Sequence, residues 1–298
     1  MEVVLAGASG LIGSALKASL LRDGHRVKIL LRRPASGEDV DSWDPGRGRL
    51  DPGFVRDADA VVCLSGAGVG DHRWTDSYKR QILQSRVDSV ATVARTLADL
   101  AGDGRGPRVL IAASAVGFYG DTGDRIVDED SPPGDSFLSE VCVQWEAAAD
   151  PARAAGVRVT HIRSGIVLAE GGGALKRLVP LVKAGVGGRL GSGKQYMAWI
   201  SQTDETAAIR FLLEHDVAGP VNLTGPSPVS NAEFTKTLGR RLHRPAVFAV
   251  PGFAARLALG EFSEDVLTGQ RATPARLLDA GFEFTHSTLD AALAAELG

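Results

Sequence analysis

The 298-residue chain has no apolar run approaching the roughly 18 residues that a bilayer-crossing helix needs, which removes a transmembrane role. It has little cysteine. Cys63 in an apolar stretch and Cys142 in a helical one suit a reducing compartment and read as buried thiols. Positive charge is not in excess either: 33 Lys and Arg against 36 Asp and Glu leave a net charge of −3. No basic face exists to neutralise a phosphate backbone, so a nucleic-acid partner has no electrostatic support. The six histidines, at 25, 72, 161, 215, 243 and 286, include no i, i+4 pair, and no metal site is expected. A charged leader and a cleavage site are also missing ahead of the first apolar run, which predicts a cytoplasmic protein. What the chain does have is core material. Hydrophobic residues make up 44% of it, enough for one large or two modest globular domains.

The first eleven apolar and glycine residues carry the strongest signal. Glu2 to Ala6 reads as a buried parallel strand, and Gly7-Ala8-Ser9-Gly10-Leu11-Ile12-Gly13 as a turn opening a helix. Gly7 can adopt backbone angles closed to residues with a Cβ, Gly10 admits a pyrophosphate close to the main chain, and Gly13 lets the helix lie on the strand. Free helix N–H groups would then face phosphate, with Gly7, Ser9, Gly10, Leu11, Ile12 and Gly13 forming the cradle. The spacing is Gly-x-x-Gly-x-x-Gly, one residue longer than the standard dinucleotide fingerprint, and a glycine triplet alone would also fit a plain structural turn. Its context decides. The helix ends near Asp23-Gly24, and Val27-Lys28-Ile29-Leu30-Leu31 supplies the second strand of a nucleotide-binding unit.

Leu31-Arg32-Arg33 stands where an NAD-specific protein usually places a carboxylate for the ribose hydroxyls. Arginine there can meet the 2′-phosphate of NADP through charge-assisted hydrogen bonds, which makes NADP(H) the expected cofactor; a solvated basic turn is the plainer alternative. Residues 35–53 read as loop, with an edge strand at Val40-Asp41-Ser42-Trp43. A further strand, 57–64, runs into Leu64-Ser65-Gly66, small enough to let a ligand lie against its carboxyl end, though a plain structural turn fits these residues equally well. Helical spacing over 74–100 carries Gln81 and Arg86; Arg86 is either a surface charge or a group reaching the cofactor, and the surface reading leads on sequence alone. Pro107 to Ala113 forms another strand, ending at Ser114 and followed by Phe118-Tyr119-Gly120.

With these residues assembled, the chain resembles the extended short-chain dehydrogenase/reductases, which include nucleotide-sugar epimerases and dehydratases. The likeness sharpens at Arg73-Trp74-Thr75, Ser85-Arg86, Asp128-Glu129-Asp130-Ser131-Pro132, Trp145-Glu146, Arg163 to Leu168, Gly171-Gly172-Gly173, Gly191 to Gln195 and Trp199-Ile200. Together these are similar to an atypical epimerase-like subfamily often labelled a SulA-type cell-division inhibitor. The resemblance implies that Ser114 is the substrate-orienting serine, for which a hydroxyl hydrogen-bonded at the strand end is the equal alternative, and that Val167, in the loop 164–168, touches the nicotinamide. It also implies that Lys194, Gln195 and Trp199 line a substrate pocket, for which a mobile glycine-rich loop with one solvated lysine is the alternative. Related enzymes carry Tyr-x-x-x-Lys on the helix after the serine strand. Aligned on Glu146, this chain has Leu138 and Cys142 at those places. Tyr119 belongs to a separate turn motif. Cys142 has no lysine or histidine near it in sequence to lower its pKa.

The expected fold is α/β: a doubly wound parallel sheet of Rossmann type, with a smaller, mostly helical C-terminal portion. Residues 1–168 would form the NADP(H)-binding domain and 169–298 the substrate-binding and cap portion, part of it returning to the sheet. Three smaller expectations concern that portion: a flexible glycine-rich loop at 185–193, and helices capped by Thr203 and by Asn231. The expected function is NADP(H)-dependent oxidoreductase or epimerase-like chemistry on a small polar metabolite, without the usual Tyr-x-x-x-Lys pair. The rival is a non-catalytic NADP(H) sensor. A homodimer paired through the apolar side of 82–97 is allowed.

Overall fold

The computed structural model describes residues 1–246 and 248–297. Its central sheet has seven parallel strands: β1 (Glu2–Ala6), β2 (Arg26–Leu31), β3 (Val40–Ser42), β4 (Ala60–Cys63), β5 (Val109–Ala115), β6 (Arg158–Ser164) and β7 (Gly219–Leu223). The principal helices are α1 (Leu11–Arg22), α2 (Asp76–Gly102), α3 (Phe137–Ala147), α4 (Gly173–Lys183), α5 (Gln202–Glu214) and α6 (Asn231–Arg241). The spatial order is β7-β6-β5-β4-β1-β2-β3, so the winding reverses between β1 and β4. Open α/β sheets bind ligands at the carboxyl ends of the strands flanking such a reversal.

Alternation along β1 shows why the sheet needs cover on both faces. Val3 and Leu5 enter one layer with Leu16, Leu20 and Ile209, whereas Val4 and Ala6 enter the other with Val93, Leu97 and Trp145. None of these four strand residues is exposed to solvent. A strand apolar on both sides must be sandwiched. Helices α1 and α5 accordingly pack on one face, and α2 and α3 on the other. A third cluster, built by Leu168, Leu175, Trp199, Phe234, Leu238 and Leu293, ties α4 and α6 to the terminal helix Leu289–Leu297. The doubly wound sheet and its helical C-terminal portion are as expected from the sequence.

Several local expectations are corrected. Ser201 caps α5, its hydroxyl accepting from the Asp204 amide at 3.1 Å, and Thr203 lies inside the helix. Ser230 likewise caps α6 through the Glu233 amide, displacing Asn231 by one residue. The glycine-rich stretch 185–193 holds a strand, Gly188–Leu190, paired in parallel with Phe248–Val250. On the apolar side of α2, Ile82, Val90, Val93, Ala94 and Leu97 belong to the core of the chain. No helix among the described residues is long and apolar enough to cross a membrane.

Candidate functional site

The glycine turn closes where β1 and β4 end side by side. Gly7 has φ of +92°, a region that side chains disfavour, and a Cβ on it would lie 2.9 Å from the Leu64 carbonyl carbon. A Cβ on Gly13 would lie 2.2 Å from the Gly7 oxygen, so any larger residue lifts α1 off the strand. Helix α1 begins at Gly10 with no side chain capping it and no carboxylate in its first turn. The two helices on the opposite face of the sheet differ: Thr75 caps α2 and Ser136 caps α3. Uncapped amides at the start of α1, with Ser9 and Gly10 exposed beside them, make an anion-accepting end.

Arg32 and Arg33, at the end of β2, are exposed and line a cavity of about 660 Å³ with Ser42, Trp43 and Arg49. Arg32 and Trp43 also line an adjoining cavity of about 810 Å³, which reaches Gly66, Gln81 and Ser85. The structure therefore gathers Arg32, Arg33, Gly66 and Gln81 along one surface beside the glycine turn. Asp44 and Asp51 line the same cavity; Asp44 Oδ2 lies 3.6 Å from Arg47 Nε, and Asp51 Oδ1 accepts from the Gly53 amide at 2.9 Å. Arg49 was not anticipated. It sits in a Gly/Asp/Pro-rich loop whose only sequence signal was its basic charge.

Leu64 and Ser65 are half-buried at the end of β4, and the segment after them is held by side chains. The Ala67 amide donates to Ser85 Oγ at 3.0 Å, and Arg86 Nη1 donates to the Ala67 carbonyl at 2.9 Å. Tyr78 donates to the Gly68 carbonyl at 2.5 Å, Trp74 Nε1 to Val69 at 2.8 Å and Arg177 to Gly70 at 2.7 Å. Four successive carbonyls are thus pinned from two helices and a loop. Arg86 points inward, correcting the surface reading. Leu31 is half-buried at the end of β2, opposite Ser42.

At the end of β5, Ser114 is buried and donates to Glu146 Oε1 at 2.7 Å. Glu146 is gripped by Arg163, whose Nε and Nη2 lie 2.8 and 2.9 Å from its two oxygens. Arg163 continues to the Tyr119 hydroxyl at 3.0 Å, and Tyr119 donates to Asn222 Oδ1 at 2.7 Å. Its guanidinium also lies 3.5 Å from the Phe118 ring centre. Burial pushes the Tyr119 phenol up to about 12, so it keeps its proton. The Ser114 proton is committed to a carboxylate, which leaves its oxygen free only to accept.

Leu138 and Cys142 are four residues apart and share the face of α3 that meets this strand end. The Leu138 Cβ is 3.5 Å from the place of a Cβ on Gly117, and Cys142 Sγ is 3.7 Å from the Ala115 carbonyl. Burial pushes the Cys142 thiol up to about 12, the state of an inert sulfhydryl. At the end of β6, Ser164 donates to Glu205 Oε1 at 2.6 Å, and burial pushes that carboxyl up to about 8. Val167 is buried in the layer that also holds Leu11, close to the glycine turn. Gly172 and Gly173 leave room there: a Cβ on Gly172 would lie 2.3 Å from Leu11 Cδ1.

The three residues expected around the substrate separate. Lys194 is exposed. Gln195 turns inward, its Nε2 donating to the Leu190 and Val266 carbonyls at 3.2 and 3.4 Å. Trp199 is wholly buried and its indole donates to the Ser227 carbonyl at 3.0 Å, so it supports this region from inside the core.

Residues 3–224 match the model of the NAD dependent epimerase/dehydratase family, and 250–296 match a domain of unknown function. The chain is 46% identical to the epimerase family protein Mb2239 of Mycobacterium bovis, covering 98% of this chain and 96% of that one. It is 35% identical to YfhF of Bacillus subtilis, covering 98% and 97%. Human epimerase family protein SDR39U1, crystallised with NADPH, superposes with a TM-score of 0.89 at 31% identity over 99% of both chains.

Proposed function

Because this chain belongs to the NAD-dependent epimerase/dehydratase family, we propose that it binds NADP(H) and catalyses oxidoreductase or epimerase-like chemistry on a small polar metabolite. The observation that carries the cofactor choice is the cavity lined by Arg32, Arg33 and Arg49, three guanidinium groups with no carboxylate in ion-pair contact among the described residues, beside a glycine turn that a Cβ would fill. A 2′-phosphate suits such a cluster through charge-assisted hydrogen bonds, and Asp44 and Asp51, which also line the cavity, pair with Arg47 and the Gly53 amide. The relative crystallised with NADPH supports the same choice. Residues 1–168 would hold the cofactor, with Gly7, Ser9, Gly10, Leu11, Ile12 and Gly13 around the pyrophosphate, Leu31 to Arg33 at the adenosine ribose, Leu64 to Gly66 and Gln81 along the cleft, and Val167 at the nicotinamide. The cofactor supplies or removes hydride. Ser114 orients a substrate by accepting a hydrogen bond, since Glu146 holds its proton. Residues 169–298 contribute the substrate side, with Lys194 and Gln195 in the segment that faces it.

A second reading has its own support. No tyrosine or lysine lies on α3, and the groups that fill the serine corner are tied into one another. A protein that binds NADP(H) to set the position of its C-terminal portion would need no proton donor there. Arg32→Glu tests the cofactor reading. NADPH affinity should fall by about one to three kcal/mol, five- to 150-fold, while NADH affinity changes little. Equal losses for both would remove the specificity argument.

A further inference from the structure

Residues 250–296, which match a domain of unknown function, are held unevenly. The later part is anchored: Ala272, Leu277, Phe282, Leu289 and Leu293 are buried, and the Thr285 and His286 amides donate to Asp204 at 2.8 and 3.0 Å. Residues 252–268 are not. Only Ala255 and Ser263 among them are buried, and on the helix Gly252–Leu259 the side chains of Phe253 and Leu257 stand 73% and 77% exposed. A segment with so little buried apolar surface opens at small cost, and the covers of binding sites are drawn from such segments.

The tip of this segment touches the site. At Gly260-Glu261-Phe262 the chain turns with a Gly260 φ of +61°, and a Cβ there would lie 3.0 Å from Arg73 Nε. Lys79 Nζ donates to Glu261 Oε1 at 2.5 Å and lies 4.7 Å from the Phe137 ring centre. The Phe262 ring centre is 5.4 Å from that of Trp74, whose ring meets Phe137 at 5.1 Å, and Phe262 Cε1 is 3.4 Å from the place of a Cβ on Gly70. The tip therefore rests on the pinned segment after β4 and beside the start of α3. Farther along, Gln195 holds the Val266 carbonyl, and Gln270 Nε2 donates to the Gly120 carbonyl at 3.0 Å. Residues 260–270 thus cross from the segment after β4 to the turn after β5, the strand that ends at Ser114. The ion pair at the tip is a weak tie, because its two side chains are 24% and 44% exposed and water competes for both. Such a tie favours the seated position without locking it.

We propose that residues 252–268 form a lid over the nicotinamide and substrate end of the cleft, latched by Glu261 on Lys79 and by Phe262 on Trp74, which lifts to admit NADP(H) and seats again over it. This rests on the cofactor reading above, and the test separates the two. The latch joins protein to protein and touches no cofactor, so loosening it speeds entry and exit alike and leaves affinity nearly unchanged. Stopped-flow nicotinamide fluorescence of the full chain with NADPH reads both rates. Glu261→Lys sets two cations together and should raise the association and dissociation rates by about fivefold, with the dissociation constant within about twofold of wild type. Adding Lys79→Glu remakes the pair in reverse and should return both rates to those of wild type. Phe262→Ala should raise both by about tenfold or more. Rates unchanged in Glu261→Lys and Phe262→Ala, a rise in dissociation alone, or no recovery in the reversed pair would overturn the lid. Wild-type protein that binds no NADPH would overturn the cofactor reading and this inference with it.

Discussion

Glu205 offers a sharp test of the buried architecture behind the end of β6. It lies in the first turn of α5, wholly buried, with Oε1 accepting from Ser164 and Oε2 without a partner among the described residues. Burial raises its pKa from 4.5 to about 8. The folded protein therefore holds a proton that the unfolded chain releases above pH 4.5. Stability from this group is complete below pH 4.5, declines as pH rises towards 8, and is level above that. The slope is about 1.4 kcal/mol per pH unit, so at pH 7 the native state carries a penalty of roughly 3 kcal/mol. Glu205→Gln keeps an oxygen for the Ser164 hydroxyl and cannot ionise. Urea unfolding of wild type and variant between pH 5 and 9 should show curves that converge near pH 5 and separate by up to about 3 kcal/mol by pH 7, the variant being more stable. Parallel curves at every pH would show that the carboxyl titrates normally and that the burial argument is wrong.

Two other perturbations probe the frame of the site. Arg163→Met should cost about 3–5 kcal/mol, because it strands Glu146 as a buried charge; adding Glu146→Leu should return much of the loss, and urea midpoints measure both. Gly13→Ala places a methyl against the Gly7 carbonyl, which should lower stability by about 1–3 kcal/mol and weaken NADPH more than that loss alone explains, as fluorescence titration would show.

What the sequence could reveal follows from the range of the interactions. Gly7, Gly10 and Gly13 lie within seven residues, and their role depends on one turn, so spacing exposed it. Arg32 and Arg33 follow their strand directly, so their placement at its end was equally legible. The Ser114–Glu146–Arg163–Tyr119–Asn222 chain joins residues more than a hundred positions apart, and only the folded sheet brings them together. Arg49 reaches the cavity because β3 returns the loop beside β2, a placement that loop composition does not encode. Trp199 fits a pocket wall and a core position equally well by residue type; its neighbours Leu168, Phe234 and Leu293 make it core. Helix caps slipped by one or two residues where Ser201 and Ser230 compete with polar neighbours on either side.

The central claim is that the cavity at Arg32, Arg33 and Arg49 selects NADP(H). Nicotinamide fluorescence of the purified protein titrated with NADPH and with NADH tests it most directly, and NADPH oxidation against carbonyl metabolites can follow in the same cuvette. The account predicts NADPH binding at least tenfold tighter than NADH, about the worth of one charge-assisted hydrogen bond. Equal affinity for the two, or no binding of either, would contradict it.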